Sequence, residues 1–411
     1  MKKVIRLFAV CLSMVLILAA CSNGAGTSSP SSAGTGSTPA ENPGSASQTP
    51  AADNTDLPPE VSGDTIKIGV SIARTGTAAE VGQNCYNSLM IALDEINAAG
   101  GIMGKQVELI IEDSQNDATQ AVNIAKRFIE NEEVLAVTTG DSSTCNIACA
   151  NYYEEAEMVL LAGTASNAGL TPLGNYIFSV AGRNTDEIPF CIKSVLKGTL
   201  GVENLGIIYA NDDWGVGLKD SAQQLCSEAG ITISAAEQFS VGETDYSSVL
   251  SKIRQTNPQA ILVIAQYAEA GLIVNQINGM NWDITVTVTG AVVNDDFLKL
   301  VGEDAEGLVG YVGMAFVEAY PESIAFYNEY IERYNGRTPT VHSTCYEALT
   351  LLAEAANSLG DNLNRQTLRD ALANAKDFQG LTGPITIEED GNITRLYHVV
   401  QCVDGVWTKI D

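Results

Sequence analysis

Residues 134–145 read Val-Leu-Ala-Val-Thr-Thr-Gly-Asp-Ser-Ser-Thr-Cys, and they join an apolar run to a group of hydroxyl side chains. The apolar run predicts a buried strand, and Asp141 or Ser142 is of the type that caps a helix N-terminus. The stretch therefore predicts a strand that leads directly into a helix. The hydroxyls of residues 142–144 are explained either by capping chemistry or by contact with the charged end of a small ligand.

The same strand-to-helix pattern extends in both directions along the chain. Predicted strands in the first half cover residues 66–72, 107–111, 134–137, 158–161 and 176–180, with helical spacing of apolar residues between the earlier ones. The alternation restarts with predicted strands at residues 205–209, 231–233, 260–264, 285–289 and 308–312. Two such series predict an α/β protein with two lobes, each built on a parallel sheet covered by helices. Ligands of such sheets lie at the carboxyl ends of the strands.

The N-terminal segment has the form of an export signal. Residues 1–20 combine a basic start with an apolar run too short to span a membrane, and Cys21 follows Leu-Ala-Ala. This junction resembles the lipobox of bacterial lipoproteins, which implies that Cys21 carries a lipid. Residues 21–63 are rich in Ser, Gly, Thr, Ala and Pro, and we expect them to be a disordered tether.

The amino-acid composition limits which binding partners and which kinds of active site the protein could have. The formal net charge of −28 argues against nucleic acid and anionic lipid as partners. Seven cysteines remain beyond Cys11 and Cys21, and most of them lie in apolar patterns, so we interpret them mainly as small buried hydrophobic residues. With only two histidines, His342 and His398, the sequence predicts neither a metal site nor a cofactor, and it predicts that the protein is not an enzyme.

Several segments in order resemble one family. Residues 94–104 read Asp-Glu-Ile-Asn-Ala-Ala-Gly-Gly-Ile-Met-Gly, which resembles a signature of the leucine/isoleucine/valine-type substrate-binding proteins of ABC importers. Similar matches are Thr75-Gly76, Asp113 with Gln120-Ala121, Tyr346-Glu347-Ala348, and Gly380 with Gly383-Pro384-Ile385. The resemblance extends over residues 66–411.

The resemblance implies a type I periplasmic binding fold in which two Rossmann-like lobes are joined by three hinge crossings. We place the crossings near Gly182, Gly313 and Gly380. The N-terminal lobe would then contain residues 64–182 and 314–380, and the C-terminal lobe would contain residues 183–313 and 381–411.

The resemblance also implies a ligand site in the cleft. Ser143, Thr164 and Ser166 match the positions that hold a ligand carboxylate. Ser142 stands beside them at the helix start, where free N–H groups favour an anion. The positions that match the wall around the ligand side chain are Trp214, Tyr267 and Val81.

One departure from the family leaves the ligand class open. The family places an acid for the ligand's ammonium group just after the strand that ends at Thr289, but residues 289–294 contain none. Asp295 or Asp296 could substitute, although both are also expected to start a helix, and Asp141 is a further candidate. Arg74 and Arg183 could instead meet a second acidic group. An apolar amino acid and a carboxylate without an amine, aliphatic or aromatic, both remain possible ligands.

The leading hypothesis is a monomeric, lipid-anchored receptor that delivers its small ligand to an ABC permease outside the cytoplasm. A sensory receptor of the same fold is the alternative from another class, and the genes beside this one would separate the two. An enzyme on this fold would need a general base or a metal in the cleft, and the sequence offers no convincing one.

Overall fold

The computed structural model describes residues 65–76, 78–313 and 320–410. The predicted signal segment, the lipidation site at Cys21 and the tether therefore lie outside the described residues. Within them, no helix has both the length and the apolar character needed to cross a membrane.

The described chain alternates strands and helices, as the sequence patterns predict. The strands are β1 (Thr65–Ile72), β2 (Gln106–Asp113), β3 (Val134–Thr139), β4 (Leu160–Ala162), β5 (Ile177–Ser179), β6 (Asn204–Ala210), β7 (Thr232–Phe239), β8 (Ala260–Ile264), β9 (Thr285–Val288), β10 (Val309–Val312), β11 (Phe378–Gly380), β12 (Gly383–Ile385), β13 (His398–Val403) and β14 (Val406–Lys409). The helices are α1 (Ala79–Ala98), α2 (Ala118–Glu130), α3 (Ser143–Glu155), α4 (Asn184–Phe190), α5 (Asp213–Glu228), α6 (Ser247–Gln255), α7 (Tyr267–Gly279), α8 (Asp295–Val301), α9 (Pro321–Arg333), α10 (Thr344–Leu359) and α11 (Arg365–Ala373).

The first lobe is built on a five-stranded parallel sheet in the order β2-β1-β3-β4-β5. The strand order reverses between β1 and β3, which is where open α/β sheets form a ligand crevice. One face of the sheet packs with α1, α10 and α11 around a core that includes Ile68 and Leu349, and the other packs with α2 and α3 around Phe128 and Tyr153.

The second lobe is built on a seven-stranded sheet in the order β7-β6-β8-β9-β10-β13-β14. Its first five strands are parallel, and β13 and β14 extend it as antiparallel strands. Helices α4 and α5 cover one face, and α6, α7 and α8 cover the other, so this sheet is also buried on both sides. The two doubly covered sheets confirm the predicted α/β class.

The sequence patterns did not predict the helix that opens the second lobe. Residues 184–190 form α4, and the chain continues as a π-helical stretch, Cys191–Thr199. Pro189 lies inside α4 and has no N–H to donate, so the regular hydrogen-bond ladder is interrupted there and the wider π-helical turns follow. The same proline hides the helical periodicity in the sequence.

The chain passes between the lobes at three places. The first crossing lies between β5 and α4, around Gly182, and the second falls between the end of β10 at Val312 and the start of α9 at Pro321. The third lies later than the predicted position near Gly380. Strands β11 and β12 form a separate pair, and Ile387 and Ile393 still pack in the core of the first lobe, whereas β13 already belongs to the second sheet. The third crossing therefore falls between Ile393 and His398.

A buried ion pair joins the first and third crossings. Arg395 donates to Glu347 on α10 and to the carbonyl oxygen of Val180, and both charged side chains are almost fully buried. The pair ties the strand end at β5 to the last crossing through α10. The crossings are thus anchored to the first lobe.

All seven cysteines of the described chain are buried free thiols, which confirms their interpretation as small core residues. Burial raises the pKa of Cys145 to about 12. A thiol of this kind stays protonated and unreactive at neutral pH.

Candidate functional site

A cavity of about 210 Å³ lies between the two lobes. Its wall is formed mainly by the residues that follow strand ends, as expected for parallel sheets. From the first lobe these residues follow β1 to β5, and from the second they follow β6 to β10. The residues predicted from sequence that line this cavity are Val81, Ser142, Ser143, Thr164, Ser166, Trp214 and Tyr267.

The three hydroxyls after β3 have three different partners. Ser142 is the N-cap of α3 and accepts from the N–H of Cys145 at 3.5 Å. Ser143 accepts from the N–H of Asn167 at 3.3 Å, and Thr144 accepts from the N–H of Asp213 in the second lobe at 3.1 Å. Only Ser142 therefore serves as the helix cap, which leaves Ser143 available for a ligand.

Ser143 presents unused hydrogen-bond donors to the cavity. Its side chain is buried, and neither its O–H nor its backbone N–H has an acceptor among the described residues. The backbone N–H of Ser166 likewise has no acceptor in the described chain. Buried donors such as those of Ser143 normally have partners, and the donors of both residues stand beside the positive end of α3. The arrangement is suited to an anionic group such as a carboxylate.

The Thr164 hydroxyl already has a hydrogen-bond partner within the protein. Its hydroxyl donates to the carbonyl oxygen of Asp141 at 2.8 Å, so its hydrogen is already in use. A hydroxyl that donates inward can still accept from a ligand donor through its lone pairs. Thr164 therefore lines the cavity as an acceptor, and its hydroxyl hydrogen supports the turn after β3.

Asp141 lies beneath this turn and holds it in place. One carboxylate oxygen accepts from Ser71 at 2.5 Å, and the other accepts from Ser114. Burial raises the pKa of Asp141 from 3.8 to about 6, while the two serine hydroxyls act in the opposite direction. Since both oxygens are occupied by protein hydroxyls, Asp141 is a poor partner for a ligand's ammonium group.

Val81 lies at the cavity because the backbone of α1 closely approaches the end of β1. A side-chain carbon added at Gly82 would lie 1.7 Å from the carbonyl oxygen of Ala73, so only glycine permits this approach of α1 to the end of β1. The first turn of α1 is thereby held against the strand end. Val81 and Ala73 both contribute apolar surface to the cavity.

The second lobe contributes aromatic side chains and an unpaired amide. Trp214 lies in the first turn of α5, which Asp212 caps by accepting from the N–H of Gly215 at 2.7 Å. Tyr267 is the first residue of α7, and burial raises its pKa to about 12. Gln266 beside it has a buried side-chain oxygen with no hydrogen-bond partner in the described chain. This wall combines apolar surface with an acceptor for a ligand donor.

The structure does not place Asp295 at the cavity, which corrects the sequence prediction. Asn294 caps α8 by accepting from the N–H of Phe297 at 2.9 Å, and Asp295 is the first helical residue after it. Asp296 forms ion pairs with Lys299 at 3.0 Å and with Arg337 at 3.7 Å. Both acids start the helix, and neither is among the residues that line the cavity.

The two arginines considered for a second acidic group also have protein partners. Arg74 stacks over the ring of Tyr86 at 3.8 Å. Arg183 forms ion pairs with Asp186 at 3.1 Å, Glu388 at 2.5 Å and Asp390 at 2.7 Å, and it thereby links the first crossing to the segment before the third. Neither arginine lines the cavity.

Several cavity residues had no sequence signal that identified them. They include Glu187 on α4, Tyr311 on β10, His342 before α10 and Arg395 at the third crossing. Burial lowers the pKa of His342 to about 4, so this imidazole is neutral at pH 7. These residues are far apart in sequence, and only the packing of the lobes brings them together.

The type I periplasmic binding fold is defined by two mainly parallel sheets covered by helices, three crossings and a cavity between the sheets. Comparison with known families agrees, because the periplasmic binding protein family matches residues 65–406. The chain belongs to this family, whose members here are binding proteins and not enzymes.

Individual relatives are distant in sequence and close in fold. A leucine-, isoleucine-, valine-, threonine- and alanine-binding protein of Pseudomonas aeruginosa is 24% identical over 331 residues, which cover 80% of this chain and 87% of the relative. The branched-chain amino acid transporter substrate-binding protein LivJ of Streptococcus pneumoniae, solved with isoleucine, is 27% identical with a TM-score of 0.75, covering 84% of this chain and 100% of that one. A solute-binding protein of an ABC transporter from Rhodopseudomonas palustris BisB5, solved with 3,4-dihydroxybenzoic acid, is 20% identical with a TM-score of 0.77, covering 85% of this chain and 98% of that one.

Proposed function

We propose that this protein is the extracytoplasmic solute-binding component of an ABC importer and that its ligand is a small carboxylate, in the first instance an apolar amino acid. The free donors of Ser143 and Ser166 at the cavity carry this proposal. A ligand carboxylate would accept from these groups, and each charge-assisted hydrogen bond would contribute about 1.5–3 kcal/mol.

The size and wall of the cavity support a small, partly apolar ligand. Its volume of about 210 Å³ is below the ~300–1,000 Å³ of pockets for drug-sized ligands. Trp214, Tyr267 and Val81 would enclose the ligand side chain. Branched-chain amino acids are named for relatives such as LivJ of S. pneumoniae, and they are the first ligands to test.

Ligand binding would stabilise a closed arrangement of the lobes. The two lobes contribute opposite walls of the cavity, so a ligand that contacts both walls binds the closed state better than an open one. The closed form would then dock on a permease. The ligand-binding protein is expected to act as a monomer.

An aromatic carboxylate is the second candidate ligand class. It is favoured by the absence of an acid in residues 289–294, and a relative of the same fold has been solved with 3,4-dihydroxybenzoic acid. Trp214 and Tyr267 would stack on an aromatic ring as well as enclose an aliphatic side chain.

Isothermal titration calorimetry would test the proposal and rank the ligand classes. The purified protein, freed of carried-over ligand, would be titrated with the twenty amino acids, their deaminated acids, benzoate and 3,4-dihydroxybenzoate. Binding of any of these carboxylates, weakened about 10-fold or more in Ser143→Ala, supports a carboxylate receptor. If no member of the panel binds, the carboxylate proposal is wrong.

The lipid anchor is a separate part of the proposal. Cleavage before Cys21 and lipidation of that residue would hold the protein at the outer face of the cell membrane, and residues 22–63 would act as the tether. Membrane fractionation of cells that produce the wild type or Cys21→Ala would test this. The wild type should sediment with membranes and the variant should not.

A further inference from the structure

Five carboxylates line the cavity, and they differ in the partners that the protein provides. Glu80 pairs with Arg337, and Asp141 accepts from two serine hydroxyls. The other three are Asp212, Glu269 and Glu187. Asp212 accepts from the N–H of Gly215 at 2.7 Å, and Glu269 accepts from the N–H of Gly242 at 2.8 Å, with a second backbone donor near each.

Glu187 has fewer hydrogen-bond donors and ion-pair partners than the other four carboxylates. It is only 9% exposed, and among the described residues its single donor is the Tyr311 hydroxyl, which is 2.8 Å from Oε1. Oε2 has no donor in the described chain, and no ion pair of the described residues includes Glu187. A carboxylate is costly to bury without a cation or a second donor, so Glu187 has more to gain from a cationic partner than the other four carboxylates.

Glu187 lies close to the Ser166 donor that would bind the ligand carboxylate. A cationic partner of Glu187 would therefore lie beside that carboxylate. The N–H of Asn184 donates to the carbonyl oxygen of Ser166 at 2.8 Å, and the Asn184 side chain accepts from the N–H of Ala168 at 3.2 Å. These bonds join the start of α4 to the segment that supplies the Ser166 donor. Glu187 lies three residues further along α4, about 4.5 Å along the helix axis.

We propose that Glu187 is the anionic partner of the ligand's ammonium group, so that the ligand of this receptor is an amino acid whose carboxylate binds at Ser143 and Ser166. This inference rests on the proposed function and names the ligand class within it. Glu187 supplies from the first turn of α4 the charge that residues 289–294 lack. An ammonium group donates three hydrogen bonds, and Oε2 of Glu187, the unpaired oxygen of Gln266 and the lone pairs of Thr164 are acceptors around the same cavity.

Calorimetry with matched ligand pairs would test the assignment. The pairs are L-leucine with 4-methylpentanoate and L-phenylalanine with 3-phenylpropanoate, titrated into the wild type and Glu187→Gln. Removing one member of a buried charge pair should weaken binding of the amino acids by at least about 30-fold. The deaminated acids should change by less than about threefold. Asp295→Asn, which alters an acid outside the cavity, is the matched control and should leave both classes unchanged.

Each other outcome overturns the assignment. Equal losses for amino acids and deaminated acids would show that Glu187 only supports the wall, and unchanged amino acid binding would show that another group holds the amine. Wild-type binding to deaminated acids alone would reject the amino acid class and leave the carboxylate receptor intact. If the wild type binds none of the four probes and no other carboxylate, the proposed function fails with it.

Proton release provides a second readout that does not depend on the variant folding. Burial raises the pKa of Glu187 from 4.5 to about 7, so a bound ammonium group would convert it fully to the anion. Titration of the wild type at pH 7 in buffers with different ionisation enthalpies should show release of roughly half a proton with L-leucine and none with 4-methylpentanoate. Equal release with both ligands, or none with either, would contradict the proposal.

The groups around Glu187 do not produce this signal. Tyr311 from β10, Tyr397 before β13 and Cys191 after α4 all have pKa values raised by burial, so they remain neutral at pH 7. Arg395 forms an ion pair with Glu347, and Lys219 on the neighbouring α5 forms an ion pair with Asp220. Asp141 has a pKa of about 6, and its contribution is removed by comparison with the deaminated ligand.

Discussion

The backbone N–H of Asp213 donates a hydrogen bond to the hydroxyl of Thr144 at 3.1 Å, and this bond joins the first turns of helices from opposite lobes. The carbonyl oxygen of Asp213 accepts from the side chain of Asn167 at 2.6 Å, again across the lobes. Both bonds require the lobes to be close together. The two lobes are therefore in direct hydrogen-bond contact beside the cavity.

Thr144→Ala should weaken ligand binding without changing the cavity wall, because Thr144 is not a lining residue. The loss of one neutral hydrogen bond in the closed form, about 1 kcal/mol, corresponds to roughly a fivefold lower affinity. The change should appear mainly as faster ligand dissociation in stopped-flow measurements. Thr199→Ala, which removes an exposed hydroxyl bonded within its own helical segment, should leave the rate unchanged, and an equal effect of both variants would rule out a closing role for Thr144.

Ser143→Ala should reduce the affinity for a carboxylate ligand by about 10-fold or more, since it removes a charge-assisted hydrogen bond worth about 1.5–3 kcal/mol. The fold should be kept, because the helix cap is Ser142 and not Ser143. Calorimetry and circular dichroism would measure the two effects. Ser358→Ala, an exposed serine on α10, is the control, and wild-type affinity in Ser143→Ala would contradict the proposed carboxylate site.

Asp141 should make the stability of the ligand-free protein depend on pH. Its pKa is raised by burial from 3.8 to about 6, so the folded protein binds more protons than the unfolded chain between those values. Stability therefore falls as the pH rises through this window, by roughly 3 kcal/mol from this group. Urea unfolding of the wild type and Asp141→Asn between about pH 4 and pH 6 would isolate the effect. Parallel pH profiles of the two proteins would show that Asp141 does not titrate in this way.

Gly82→Ala should destabilise the protein by more than about 2 kcal/mol, because the new methyl group would collide with the carbonyl oxygen of Ala73. Gly279→Ala is the matched control. It lies near the end of α7, where an added methyl group meets no heavy atom within 4 Å, and it should be neutral or stabilise by up to ~1 kcal/mol. Equal midpoints of urea unfolding for the two variants would show that α1 can move away from β1.

Much of the fold was predictable from the sequence, since it depends on local patterns. The alternating strands and helices and the helix start after β3 follow from residues close together in the chain. The third crossing was placed too early because Ile387 and Ile393 pack against the first lobe through contacts with distant residues. No local pattern reports such contacts.

Some residues of the candidate site could likewise be predicted from local sequence patterns, and others could not. Residues that directly follow strands, such as Ser143, Thr164 and Tyr267, could be placed at the cavity from their position in the pattern. Glu187 could not, because Pro189 obscures its helix and because its significance depends on which partners it lacks after burial. Asp295 was a reasonable candidate by position, but the cap at Asn294 directs it into the start of α8.

The sequence by itself determined the α/β class, the two lobes and the edges of the sheets where a ligand would bind. Periodicity and capping act over a few residues, so they can be recognised without the fold. Only the tertiary structure decided which acidic side chains have hydrogen-bond or ion-pair partners within the protein and which carboxylate has an oxygen without such a partner among the described residues. Hydrogen-bond partners such as Ser71 and Ser114 for Asp141, or Tyr311 for Glu187, are distant in the chain, and burial and pairing are properties of their final arrangement.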